Sequence, residues 1–128
     1  MHVERFEDLE IWQEARALCK LIYEVTSKEP FHSDFKFREQ VRAAGGSIMD
    51  NIAEGFGRGG NKEFVSFLSI SNGSCNEVRS QSYRAFDFNY IDKVILDELL
   101  ERTTKESKQI TSFINYLKKS ERRGPKYE

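Results

Sequence analysis

Residues 34–64 read DFKFREQVRAAGGSIMDNIAEGFGRGGNKEF. Phe37, Val41, Ala44, Ile48 and Ile52 recur at steps of three and four, which puts them on one face of a helix. Ser33 or Asp34 is placed to cap its start. Gly55, Gly57, Gly59 and Gly60 end it near Phe56, because glycine tolerates the left-handed turn at a helix C-terminus. Inside the helix lies Ala43-Ala44-Gly45-Gly46-Ser47. Two interior glycines cost about 1 kcal/mol each relative to alanine, so a compensating contact is required. The usual compensation is another backbone at close range, and the next segment carries a matching set: Ser69, Ser71, Gly73 and Ser74. Two readings follow. The small residues form a tight antiparallel contact between the second and third helices, or part of that surface packs against another subunit.

The same periodicity extends outward in both directions. Leu9, Trp12, Ala15, Cys19, Ile22 and Thr26 define a first helix over about 8–28, with Asp8 as cap and Pro30 beyond its end. Phe64, Phe67, Leu68, Ser71, Cys75, Val78, Ser82 and Phe86 define a third over 61–88, capped by Asn61. Leu96, Leu99, Thr103, Ile110, Phe113, Ile114 and Leu117 define a fourth over 92–120. Short connections make successive helices antiparallel, so the expected fold is all-α, an up-down-up-down four-helix bundle over 1–120 followed by a basic tail at 121–128.

Composition agrees. The chain has 128 residues, 38% hydrophobic and 32% charged, with two prolines, Pro30 and Pro125. That is enough apolar material for one core and enough charge for wet helix faces. Ten phenylalanines, five tyrosines and Trp12 are more rings than one such bundle hides easily. Phe31, Phe35, Phe56, Tyr83, Phe88 and Tyr90 fall near helix ends or off the stripes, and uncovered apolar groups mark contact surfaces. A homo-oligomer is the expectation. No stretch approaches the ~20 apolar residues of a membrane span, and the expected location is the cytoplasm. Cys19 and Cys75 lack metal-ligand spacing and read as reduced, small hydrophobes.

Little catalytic chemistry is visible. His2 and His32 lie at the terminus and in a loop, no Glu-x-x-His pair occurs, and no metal or cofactor site is expected. Gly55–Gly60 precedes a helix but follows no strand and lacks the Walker pattern, so it offers an anion contact through Arg58 and Lys62 rather than a nucleotide site. Arg42, Asn51 and Glu54 read as a buried polar network that orients the glycine loop. The alternative is an enzyme centred on Glu54, without a nucleophile or a metal beside it.

Net charge is −1, unevenly spread: residues 1–30 carry −3 and residues 118–128 carry +3. Candidate contacts to RNA or a protein partner are Arg38 and Arg42 on the second helix, Arg58 and Lys62 at the loop, Arg79 and Arg84 on the third helix, and Lys118, Lys119, Arg122 and Arg123 at the end.

Several motifs occur in a fixed order: Phe6-Glu7-Asp8-Leu9 with Ile11-Trp12, Gln40-Val41-Arg42-Ala43-Ala44, Ser47-Ile48, Asn51-Ile52-Ala53-Glu54-Gly55, Glu63-Phe64 with Phe67-Leu68, and Gly73-Ser74 with Glu77. Together they closely resemble the 23S rRNA intervening-sequence protein family, also called the four-helix bundle proteins. The resemblance spans nearly the whole chain. It implies a left-handed antiparallel bundle assembled as a ring-shaped homopentamer, without catalysis, and marks Gln40, Gly45, Gly46, Ser47, Asn51, Glu54, Gly55, Gly73, Ser74 and Glu77 as structural motif residues. Founding members are encoded inside insertions of bacterial 23S rRNA genes. A related branch, the accessory variability protein of diversity-generating retroelements, binds reverse transcriptase and nucleic acid and is strongly basic. This chain is not basic overall, so RNA contact here rests on local clusters, which a ring would multiply. The alternative role is a purely structural interaction module.

Overall fold

A computed structural model of the chain describes residues 3–121. Four helices form in order: α1 Glu10–Thr26, α2 Phe35–Gly57, α3 Asn61–Asp87 and α4 Lys93–Glu121. Single 3-10 turns at Phe6–Asp8 and Phe31–Ser33 precede α1 and α2. Each helix packs on its sequence neighbours, and α1 closes the bundle against α4. The α1–α4 interface is the least extensive of the four.

All five residues of the α2 stripe are buried, joined by Gly45 and Gly55. Ile11, Leu18 and Val25 are buried on α1 beside the expected stripe. The core runs from Leu9 and Leu117 at one end to Phe31, Phe37 and Ile91 at the other. Phe31, expected near the surface, is 2% exposed. It stacks on Phe37 at 5.3 Å and leans on Tyr90 at 5.1 Å. The turn between α1 and α2 folds back over the bundle end and carries the ring inward. Phe35, Tyr83 and Phe88 do remain exposed, while Phe56 and Tyr90 are half-buried.

The caps differ from expectation at two helices. Asp34 does cap α2, its Oδ1 accepting from the Phe37 amide at 3.4 Å, while its Oδ2 accepts from the Tyr90 hydroxyl at 2.7 Å. One carboxylate thereby ties together the two connections at that end. Asp92 caps α4 through the Ile95 amide at 2.9 Å. Asp8, however, lies in the preceding 3-10 turn and pairs with Arg5, and Leu9 holds the α1 cap position. Asn61 is the first residue of α3, not its cap. It is buried, and its amide donates to the Leu117 carbonyl of α4 at 3.0 Å. A tertiary partner has taken the side chain that a local cap would have used.

The glycines divide sharply. A methyl group at Gly55 would lie 2.6 Å from Phe67 Cβ and 2.9 Å from Phe64 Cδ1, so here α3 does approach α2 too closely for a side chain. Gly45 is also crowded, but by Ile22 Cδ1 of α1 at 2.7 Å, not by α3. Gly46 and Gly73 have nothing within 4 Å of an added methyl. The reading in which the small residues form an α2–α3 contact therefore does not extend to Gly45 and Gly46. Successive helix residues are turned by about 100°, so neighbours cannot share one contact. The α2–α3 contact itself is close and rests on other small residues. Ser71 donates to the Ile48 carbonyl at 2.8 Å, and Ser74 donates to Ser47 Oγ at 2.9 Å.

Gly55→Ala is expected to lower stability by ~1–3 kcal/mol, because neither Phe67 Cβ nor the Phe64 ring can swing away. Gly45→Ala should cost less, since the Ile22 methyl can rotate and the helix gains ~1 kcal/mol of propensity. Urea midpoints of the two variants check the order. Equal effects would contradict the steric assignment.

Candidate functional site

Four of the motif residues of α2 and α3, Gln40, Ser47, Ser74 and Glu77, meet along the outer seam of these helices. Gln40, Ala43, Ala44 and Ser47 form one wall of an open groove of about 410 Å³, and Ser74, Glu77, Gln81 and Arg84 form the other. Seven-residue spacing from Gln40 to Ser47, and from Ser74 to Gln81, returns each helix to the same side after two turns. One turn past Ser47, Asn51 donates to both the carbonyl and the hydroxyl of Ser47 at 2.9 Å. Ser47 in turn is held by Ser74. The result is a hydrogen-bonded chain across the seam, floored by small residues.

Gln81 closes one end of this groove and was not singled out from sequence. It is 2% exposed. Its amide nitrogen reaches the Gln40 carbonyl at 3.5 Å and Glu77 Oε2 at 3.3 Å. Its Oε1 is buried without a hydrogen-bond partner among the described residues. The available signal was position: Gln81 lies three residues after Val78 and four before Ala85, among buried positions of α3.

Other sequence candidates are not brought together. Arg42, Asn51 and Glu54 form no cluster. Arg42 turns toward α1, donating to Thr26 Oγ1 at 2.8 Å and Ser27 Oγ at 3.0 Å, with its guanidinium 4.2 Å from the centre of the Tyr23 ring. Asn51 stays on the seam, and Glu54 is exposed and paired with Arg58 at 2.7 Å. Three helix positions at intervals of nine and three residues point in different directions, so the buried network expected at the glycine loop is not built. The Glu54-centred enzyme loses the arrangement on which it rested.

The basic candidates separate into two ends and a middle. Arg38, Arg42 and Arg84 lie at the end that holds the α1–α2 and α3–α4 connections. There Arg38 sits 4.6 Å from the centre of the exposed Phe35 ring, and Arg84 sits 4.5 Å from that of Phe37. Arg38 also pairs with Glu39 at 2.9 Å and reaches His32 Nε2 at 3.0 Å. Arg58, Lys62, Lys118 and Lys119 lie at the opposite end, all exposed, with Arg58 5.0 Å from the centre of the Phe67 ring. Arg122 and Arg123 lie outside the described residues, as does most of the basic tail assigned to 121–128.

Arg79 is neither free nor at an end. Its Nη1 donates to the Leu100 carbonyl at 2.9 Å, to Thr103 Oγ1 at 3.3 Å and to Thr104 Oγ1. It joins α3 to α4 and is removed from the contact candidates. Its position one residue after the core Val78 lets a long side chain snorkel across the seam.

Glu106 was likewise not singled out. It lies on the α4 stripe between Thr103 and Ile110 and is 1% exposed. Neither carboxyl oxygen has a hydrogen-bond partner among the described residues. Burial, reinforced by the negative charges of Glu14 and Glu10 against the opposing Lys105, raises its pKa from 4.5 to about 8. Opposite it on α3, burial first and Glu106 second push the Cys75 thiol up to about 12. Both cysteines are free. Among the described residues there is no group of three or more His, Cys, Asp and Glu able to hold a metal ion, and no helix long and apolar enough to cross a membrane.

Fold and seam thus define an all-α bundle with a polar groove along its α2–α3 outer face. The profile of the 23S rRNA-intervening sequence proteins matches residues 7–112, and the chain belongs to that family. Among solved structures, the fold is similar to a Bacteroides thetaiotaomicron protein described as being of unknown function and from the S23 ribosomal protein family. The TM-score is 0.74 at 20% identity, over 81% of this chain and 97% of that one. No curated protein matches the chain.

Arg79→Ala should lower stability by ~1–3 kcal/mol, through loss of the hydrogen bonds by which its charged side chain joins α3 to α4. Thermal or urea unfolding measures it. A variant as stable as wild type would return Arg79 to the list of available surface cations.

Proposed function

We propose that this chain is a self-assembling, non-catalytic scaffold whose α2–α3 outer face packs against a second copy. Gly46 and Gly73 carry the reading. Each sits inside a helix where alanine is favoured by about 1 kcal/mol, and neither is required by any contact among the described residues. A backbone approaching from outside supplies the missing reason. The floor of the seam between them is small, from Ala43 and Ser47 to Ser74. Exposed Ile70, 51% accessible, lies one turn from Gly73 and supplies apolar surface for such a contact. Family membership supports a ring of five subunits as the closed form of this assembly, and closed symmetry is the ordinary outcome for soluble homo-oligomers.

A second reading, contact with RNA, is favoured by one observation. At the bundle end holding both connections, Arg38 and Arg42 lie over the exposed rings of Phe35 and Tyr23. An accessible aromatic ring backed by arginine is a platform on which unpaired bases stack. Repetition around a ring would raise the avidity of a small patch.

Light scattering at micromolar concentration should give a mass near five times 14.9 kDa. Gly46→Leu and Gly73→Leu should keep the helical circular dichroism and lower the mass. A wild-type monomer, or full assembly by both variants, would overturn the assembly reading. For RNA, a gel shift with structured RNA should weaken as salt rises and be lost when Arg38, Arg42 and Arg84 are all replaced by Ala. No shift at low salt, or a salt-independent one, would remove the RNA reading.

A further inference from the structure

We propose that the α1–α4 seam is a proton-sensitive closure: the closed seam accommodates Glu106 only in its protonated form, and loss of that proton lets the first half of α1 part from α4. The geometry begins with what surrounds the carboxyl. Glu106 is 1% exposed, and both of its oxygens lack hydrogen-bond partners among the described residues. One turn further along α4, Gln109 Oε1 is also buried and unpartnered. Three orphan acceptors thus lie at the least extensive interface of the bundle.

Only two exposed polar clasps cross the seam beside them among the described residues. Lys105 reaches Glu14 at 3.2 Å, and Gln109 reaches Glu10 at 2.8 Å. Beyond the second clasp the outer side of the seam is a groove of about 550 Å³ lined by Leu9, Ile11, Phe113 and Tyr116. Closure along this half of α1 rests on the packing of Ile11 and Ala15 and on the stretch that Glu106 occupies.

The charges facing Glu106 decide the direction. Glu14 and Glu10 on α1 oppose its ionisation, and Lys105 on its own helix favours it. Cys75 on α3 is coupled to it and to Arg79, whose guanidinium is committed to α4. The buried face of α2 carries no titratable side chain. An ionised Glu106 would thus be a bare carboxylate inside the core, facing two further carboxylates on α1. Parting of α1 gives it water and distance from both. The elevated pKa points the same way, since burial is its largest cause.

The sign follows from linkage. Opened, the carboxyl titrates near its ordinary 4.5; closed, near 8. Below 4.5 both states are protonated and the seam is at its tightest. Between those values only the open state releases the proton, so opening is favoured by up to about tenfold per pH unit. Above 8 both states are ionised and the effect levels off.

Hydrogen exchange followed by mass spectrometry tests this across pH 5 to 9, with rates corrected for the intrinsic pH dependence of exchange. Protection of α1 amides should fall progressively toward pH 8 while α2 and α3 keep theirs. Glu106→Gln should remove the pH dependence of α1. Protection that does not vary with pH, equal loss in all four helices, or an unchanged dependence in Glu106→Gln would overturn the proposal. Should the Gln variant fail to fold, carbon-13 titration of the wild-type glutamates decides. A carboxyl midpoint well above the ordinary range, moving with the α1 resonances, supports the closure, and no such midpoint overturns it.

Discussion

The bundle depends on how closely α3 can lie against α2. Gly55 admits the Phe64 and Phe67 rings at a range where a methyl group would collide with them. Two turns earlier on α2, the Ile48 carbonyl accepts the Ser71 hydroxyl, which is possible only when backbone and side chain are within hydrogen-bond reach. These contacts draw the two helices together along their length. The remaining helices then complete the enclosure, α1 on the Gly45 side through Ile22 and α4 through Arg79 and Asn61. A wider separation would leave Phe64 without its edge-on contacts to Phe56 and Phe113.

That closeness has a consequence on the outer face. Helices drawn together by small residues leave a shallow polar valley rather than a ridge, and Gln40, Ser47, Asn51, Ser74 and Glu77 lie along it. Local hydrogen bonds occupy much of their capacity, while Gln81 keeps one acceptor idle. Opposite, the α1–α4 seam is built differently. It has no comparable run of small residues and relies on exposed polar clasps over a buried carboxyl. The two sides of one bundle therefore have different characters. One is tightly bonded and lined by short polar side chains. The other is loosely joined and sensitive to protonation.

The candidate residues show how far side-chain type alone carries. Arginine at positions 38, 42, 58, 79 and 84 looks alike in sequence. In the folded chain one crosses to α4, another lies over the Tyr23 ring of α1, and others lie over phenylalanine at opposite ends. Asn61 and Asp8 had the chemistry of caps, and neither serves as one. Local preference is worth about 1 kcal/mol at such positions, and at Asn61 a buried tertiary hydrogen bond of similar worth offsets it.

Helix number, boundaries to within a residue or two, and the buried stripe of α2 were legible in the order of residues. A 3.6-residue period, proline and glycine act locally and leave their mark on the chain itself. The motifs likewise carried the family. What tertiary structure alone decided was direction: which glycine faces a neighbour and which faces outward, which arginine is occupied, and that Glu106 points into the core. Each depends on the rotation of one helix about its axis relative to another, an angle that no single segment encodes and that only the packing of all four fixes.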